Sequence, residues 1–215
     1  MKAPQKISIV IPVFNEEQTL KPLYHQICTV LAGLNVATEI IFVDDGSTDG
    51  SFEALEDLYW GQTDGAAVSV IRFRRNRGKA AALAAGFARA TGDMVITMDA
   101  DLQDDPGEIP TLIAKLEAGY DLVSGWKHPR RDPFSKRVLS TLFNKTTCLL
   151  TGVSLHDINC GFKAYRAEVL KGLPLYGELH RYLPILAHQN GYRIAEVKVK
   201  HHPRRFGKSK YGWIR

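Results

Sequence analysis

Residues 93–106, DMVITMDADLQDDP, pose the question that decides the fold. Four of the five residues from Met94 to Met98 are apolar, which reads as a buried strand. Asp99, Asp101, Asp104 and Asp105 then follow within seven positions. Crowded carboxylates repel and raise one another's pKa unless something positive lies among them. Asp-Pro ahead of a helix is ordinary capping chemistry, so Asp104, Asp105 and Pro106 read as a solvated turn opening a helix. Asp99 and Asp101 are the first residues out of the core, and capping does not account for them.

Outward from this stretch, strands alternate with helices. ISIVIPVF (7–14) is a strand, and the segment after it carries Leu20, Leu23, Tyr24, Ile27, Val30 and Leu31 at helical spacing. EIIFVDDGSTDG (39–50) is a strand ending in a turn, before a helix with Phe52, Leu55 and Leu58 on one face. VSVIRF (68–73), an Ala-rich helix closed by Gly92, the strand at Met94, the helix 107–119 and the strand DLVSG (121–125) complete the series. This order implies a mostly parallel α/β sheet with helices on both faces. Ligands of such sheets sit at the carboxyl ends of the strands, where IPVFNEE, VDDGSTDG and MDADLQDD all end in polar residues. Asp44 and Asp45, like Asp99 and Asp101, follow an apolar strand directly. Carboxylates converging on one edge call for a cation.

The chain of 215 residues is expected to form one domain, 1–215. An apolar fraction of 45% with 24% charged residues excludes disorder and a polytopic membrane protein. The first apolar run is too short for a signal sequence, and none reaches the span of about 18 residues needed to cross a bilayer. Cys28, Cys148 and Cys160, without a CxxC, read as reduced thiols of a cytosolic protein. The net charge of +5 is unevenly placed. No acid follows Glu196, whereas Lys198, Lys200, Arg204, Arg205, Lys208, Lys210 and Arg215 are basic, and Lys127, Arg130, Arg131, Lys136 and Arg137 form a second cluster. Such patches suit phosphate, anionic lipid or nucleic acid, or are solvated surface.

The oxygen donors Asp99, Asp101 and Gln103 favour a hard ion, Mg2+ or Mn2+, which rests on one or two carboxylates plus substrate phosphates. A nucleoside diphosphate derivative is the substrate that follows. No GxGxxG follows the first strand and no GxxxxGK[ST] occurs, which argues against dinucleotide oxidoreductases and P-loop NTPases. An aspartyl phosphatase would carry its DxD after an early strand.

IVIPVFNEE, IIFVDDGSTDGS, RNRGKAAALAAGFARATGD, MDADLQDDP and INCGFKAY together resemble the family 2 inverting glycosyltransferases of GT-A, Rossmann-like fold. Within that family the chain is similar to the dolichol-phosphate mannose synthase group and its bacterial polyprenyl-phosphate hexosyltransferase relatives, from about residue 7 onward. The resemblance implies a nucleotide pocket lined by Pro12, Phe14, Glu16, Val43, Asp44, Asp45, Asp99 and Ala100, with the metal on Asp99, Asp101 and Gln103. It further implies that Lys127 and Arg131 meet phosphate, Lys127 standing where the family often has Ser-Arg. RRFGKSK resembles the family's RxxGxSK block, giving Arg204, Ser209 and Lys210 to the donor and acceptor phosphates. Asp157 holds the Asp-x-x-x-Gly-Phe position. Asp101, Arg204, Lys210 and Asp157 are thus the candidate catalytic groups, with His180 and Arg181 of GELHRYLP as further substrate contacts or a surface pair.

The expected reaction is transfer of a hexose from a UDP- or GDP-sugar to polyprenyl phosphate with inversion. A phosphate acceptor has a second pKa of about 6 and needs cations rather than a general base. The apolar stripe Phe134, Val138, Leu139, Leu142, Phe143, Leu149 and Leu150 makes 133–150 either a core helix or a membrane-interfacial one. The expected setting is the cytoplasmic face of a membrane with an anionic surface, and no nucleic acid as partner. Bacterial relatives often add two C-terminal transmembrane helices, and the sequence ends at Arg215, so the protein is peripheral or anchored by helices beyond it. Two alternatives stand beside this: a family 2 enzyme acting on a saccharide hydroxyl, and a non-catalytic membrane-associated scaffold.

Overall fold

The computed structural model describes residues 6–61, 66–128, 151–173, 175–204 and 206. Among these residues seven strands are seen: β1 (Lys6–Val13), β2 (Ala37–Asp44), β3 (Ala67–Arg72), β4 (Met94–Thr97), β5 (Leu122–Lys127), β6 (Lys163–Arg166) and β7 (Ile194–Val199). They form one sheet in the order β3-β2-β1-β4-β6-β5-β7. All neighbours are parallel except β6, which runs antiparallel to both β4 and β5. The helices among the described residues are α1 (Glu17–Leu31), α2 (Ser51–Trp60), α3 (Lys79–Arg89), α4 (Ile109–Glu117), α5 (Ala167–Leu170) and α6 (Leu183–Gln189).

The apolar runs of β1, β2 and β4 exist because both sheet faces are covered. Ile7, Ile9, Ile11 and Val13 of β1 point into the core shared with α1, α2 and α4. Val10 points the other way, against Ala82 and Leu83 of α3. That second contact is close: a Cβ on Gly86 would lie 2.2 Å from Val10 Cγ1, so the small residues of α3 let it settle on the sheet. Leu20, Leu23, Ile27 and Leu31 of the expected α1 stripe are buried, whereas Tyr24 and Val30 are half-buried against the same core; Leu55 and Leu58 of α2 are buried. Phe52 stays at the rim, with the Arg72 guanidinium 3.7 Å above its ring.

The expected parallel sheet is found, with β6 as an antiparallel insertion between β4 and β5. One local expectation is corrected. Asp105 does open a helical turn, its Oδ1 accepting from Gly107 N at 2.8 Å, ahead of Pro106 at the first helical position. Asp104 is no solvated residue: it is 2% exposed, and its Oδ1 lies 3.6 Å from Lys127 Nζ. A buried carboxylate needs such a counter-ion, which the sequence neighbourhood of Asp104 does not contain.

Among the described residues no helix is long and apolar enough to cross a membrane. Segment 133–150, with Arg130 and Arg131 beside it, lies outside the described residues, as do Ser209 and Lys210.

Candidate active site at the carboxyl edge of the sheet

β1 is flanked by β2, which leads outward to β3, and by β4, which leads the other way. This reversal of strand order opens a crevice beyond the carboxyl ends of β1, β2 and β4. Two non-glycine residues shape its rim with left-handed backbone, Asn15 (φ 55°) and Leu102 (φ 61°). Asn tolerates that conformation, and Asn15 Oδ1 accepts from Thr48 N at 2.7 Å, tying the β1 turn to the β2 turn. Leu102 is β-carbon-bearing, apolar and buried, so its left-handed backbone is local strain inside the Asp-x-Asp loop. It reverses the chain so that Gln103 N donates to Asp101 Oδ1 at 3.1 Å.

A cleft of about 60 Å³ is lined by Pro12, Phe14, Glu16, Asp99, Ala100 and Asp101, with Lys79 and Arg204. Six of the expected nucleotide or metal residues therefore meet in one place. Each carboxylate carries a cation of the chain itself: Lys79 Nζ on Asp99 and the Arg204 guanidinium on Asp101. Arg204 Nη1 also reaches Glu16 Oε1 at 3.3 Å. Burial works to raise the Asp99 carboxyl, but Lys79, Lys127 and Lys163 hold it well below the usual range. Asp101 goes the other way: burial and the charges of Asp99 and Asp104 push it up against the pull of Arg204.

Val43, Asp44 and Asp45 lie buried behind the cleft. Asp44 Oδ1 accepts from Ser47 N at 3.0 Å, and its Oδ2 is 3.8 Å from Arg72 Nε. Asp45 grips the loop before α3, accepting from Arg77 N at 2.7 Å and Gly78 N at 2.9 Å. Its carboxylate thus shapes the pocket wall. Gln103 binds the C-terminal segment: its carbonyl accepts from His202 N at 2.8 Å, and its Nε2 donates to His202 O at 3.2 Å. Lys127 sits on Asp104, and Asp157 is buried, 1% exposed, in the field of Lys127 and Lys163.

A larger cavity of about 570 Å³ adjoins the cleft through Phe14 and Lys79 and is lined by Thr97, Gly161, Lys163, His180 and Arg181 among others. His180 and Arg181 are thus at the site. Burial, with Lys79, Arg181 and Lys163 facing it, pushes His180 down to about 4, so it is neutral at physiological pH. Among the described residues its buried Nδ1 has no hydrogen-bond partner. Lys163, 2% exposed, donates to the carbonyls of Ile158 and Cys160, and burial lowers its pKa. The sequence reading did not single out Lys79 and Lys163. A signal existed for Lys79: it opens α3, where the helix dipole disfavours a cation.

Two carboxylates at a strand end fit a hard divalent ion completed by substrate phosphates. Among the described residues no group of three or more His, Cys, Asp or Glu is set to hold a metal alone.

Comparison with known proteins agrees with this fold. The chain is 39% identical over 211 residues to the dodecaprenyl-phosphate galacturonate synthase of Rhizobium johnstonii, covering 96% of this chain and 62% of that protein. The chain thus spans less than two thirds of that relative's length. The glucosyl-3-phosphoglycerate synthase of Mycobacterium tuberculosis, solved with Mn2+, UDP and phosphoglyceric acid, superposes with a TM-score of 0.74 at 25% identity, over 95% of this chain and 72% of that one. A mannosyltransferase of Pyrobaculum calidifontis, solved with GDP-Man and Mn2+, shares the fold with a TM-score of 0.68 at 23% identity, over 93% of this chain and 56% of that one. The pattern described as glycosyl transferase family 2 matches residues 8–173, which run from β1 through β6 and hold every cleft residue except Arg204, and the chain belongs to that family.

Proposed function

We propose that the protein transfers a hexose, with inversion, from a nucleoside diphosphate sugar to a polyprenyl phosphate at the cytoplasmic face of a membrane. The observation that carries this reading is the contact of Arg204 with Asp101. It brings the first residue of the RxxGxSK block onto the Asp-x-Asp pair, so cations suited to an acceptor phosphate adjoin the place where the donor diphosphate belongs. Asp99 and Asp101 would hold Mg2+ or Mn2+, which supplies positive charge to the departing diphosphate. Pro12 and Phe14 wall the donor, and Arg204 offsets negative charge developing as the glycosidic bond breaks. An acceptor already ionised near neutral pH needs no base, which agrees with Asp157 lying buried. The relative's name, a polyprenyl-phosphate sugar synthase, supports this acceptor.

A radiolabelled panel of UDP- and GDP-sugars with short polyprenyl phosphates tests the reading. Label should pass to the polyprenyl phosphate and not to the dephosphorylated polyprenol. Efficient transfer to the alcohol or to an oligosaccharide would overturn the acceptor assignment.

One observation favours a sharper donor. Beyond Lys79, the cavity beside the cleft is lined by Arg77, Lys163 and Arg181 against one acid, Glu178, which pairs with Arg181 at 2.9 Å, a net positive setting that suits a sugar bearing its own carboxylate. Galacturonate in the relative's name points the same way. A nucleoside diphosphate hexuronate should therefore outcompete the corresponding neutral hexose donor. Equal use of the two would remove this refinement and leave the reaction class intact.

A further inference from the structure

We propose that Lys79 and Arg204 are donor-binding residues held in reserve: in the metal-free protein each neutralises one carboxylate of the Asp-x-Asp pair, and a divalent ion frees both for the diphosphate. This rests on the metal half of the function proposed above.

Charge counting carries the argument. The cleft holds three carboxylates, Asp99, Asp101 and Glu16, and two cations, Lys79 on Asp99 and Arg204 on Asp101 and Glu16. That set carries one net negative charge. A divalent ion on Asp99 and Asp101 would compete with Lys79 and Arg204 for the same carboxylate oxygens and make the cleft of about 60 Å³ net positive. A diphosphate then offers the displaced cations new anionic oxygens. Both are fitted to the exchange. The guanidinium fork matches phosphate as well as carboxylate. Lys79 stands at the first residue of α3, where the helix dipole does not retain it, and it borders the larger cavity as well as the cleft. Arg204 can swing without releasing its segment, because the two bonds between Gln103 and His202 tie that segment to the Asp-x-Asp loop. Gln103 is then a positioning residue for Arg204.

Limited trypsin digestion followed by mass spectrometry reads the state of Arg204 directly, since a side chain engaged with Asp101 and Glu16 cannot enter the protease. Cleavage after Arg204 should be slow in chelator, several-fold faster in Mn2+ alone, and slow again in Mn2+ with UDP or GDP. Mn2+ binding without nucleotide, followed by electron paramagnetic resonance, adds a second readout. Lys79→Met and Arg204→Met should each tighten Mn2+ by about tenfold and, at saturating Mn2+, weaken UDP or GDP by about tenfold. Opposite signs are the signature, because loss of a merely structural contact moves both constants together or neither. Lys79→Arg should restore both constants towards wild type. Lys200→Met, a charge loss four residues from Arg204 and paired at 3.9 Å with Glu108, should leave both constants within about twofold. Mn2+ that binds without changing cleavage at Arg204 overturns the exchange alone. Failure of Mn2+ to bind even with nucleotide overturns the metal reading with it.

Discussion

Asp101→Asn should make the metal-free protein more stable, although it removes half of an ion pair. Asp101 lies beside Asp99 and Asp104, and burial together with those charges raises its pKa despite Arg204. A carboxyl whose pKa is raised on folding binds its proton more tightly in the native state, so ionising it destabilises the fold. The cost is absent below the unfolded value of about 3.9 and grows as pH rises through the raised native value. Raised to about 6, the carboxyl costs about 3 kcal/mol at neutral pH. In a domain of this size each kcal/mol moves Tm by about 2–4 °C. The amide keeps the shape and one acceptor for Gln103 N. Calorimetry in chelator at pH 7.5 should therefore show the variant melting higher, with the gap closing near pH 4. Mn2+ with a nucleoside diphosphate should reverse the order, because ligand binding stabilises only the protein that retains its carboxylate. A variant that melts lower in chelator at pH 7.5 would show that the Arg204 contact outweighs the repulsion, and the charge argument would fail.

Lys127→Met should destabilise by about 3–5 kcal/mol, because buried Asp104 loses its counter-ion, and Asp104→Asn in the same chain should recover part of the loss in a denaturant titration. Gly161→Ala should weaken Mn2+ binding while shifting Tm little, since a Cβ there would stand 2.8 Å from Asp99 Oδ2 and displace the carboxylate rather than the core. Unchanged Mn2+ affinity would remove Asp99 from the metal site. Glu39 is lowered to about 2: burial works to raise it, but Lys6, Ser8 and Thr91 outweigh that effect. Its contribution of about 2–3 kcal/mol is present above the unfolded value of about 4.3 and lost as pH falls towards 2, so Glu39→Gln should flatten the acid limb of the stability curve.

The elements that carry an apolar period were legible in the sequence. β1, β2 and β4 place their buried residues where pattern reasoning puts them, because both sheet faces impose the same demand, and α1 buries Leu20, Leu23, Ile27 and Leu31 of its stripe. What escaped is long-range. Asp104 and Asp105 are neighbours of one residue type, and capping chemistry describes only the second; the first is decided by Lys127, which arrives on another strand. Asp45 was legible as a residue of the sheet edge, but its hold on Arg77 N and Gly78 N depends on a loop 32 residues away. β6 is four residues long with a lysine at its head, too short and too polar to announce a strand. Lys163 is inside because two carbonyls of the preceding turn receive it.

That antiparallel strand explains how motifs sixty residues apart serve one carboxylate. A parallel strand leaves the sheet at the ligand edge, whereas an antiparallel strand enters there. β6 pairs Lys163 with Thr97, the last residue of β4, so the turn leading into β6 lies against the start of the Asp-x-Asp loop. Thr97 Oγ1 donates to Gly161 O at 2.8 Å and fixes that approach. The Asp99 carboxylate fills the space that a side chain at position 161 would need. The glycine of the Asp-x-x-x-Gly-Phe block is thus required by Asp99, and Asp157 and Lys163 come with it into the layer beneath the cleft. One reversed strand supplies the site with a floor whose charges oppose each other, and from it Lys163 joins Lys79 and Lys127 in holding Asp99 ionised where burial alone would protonate it.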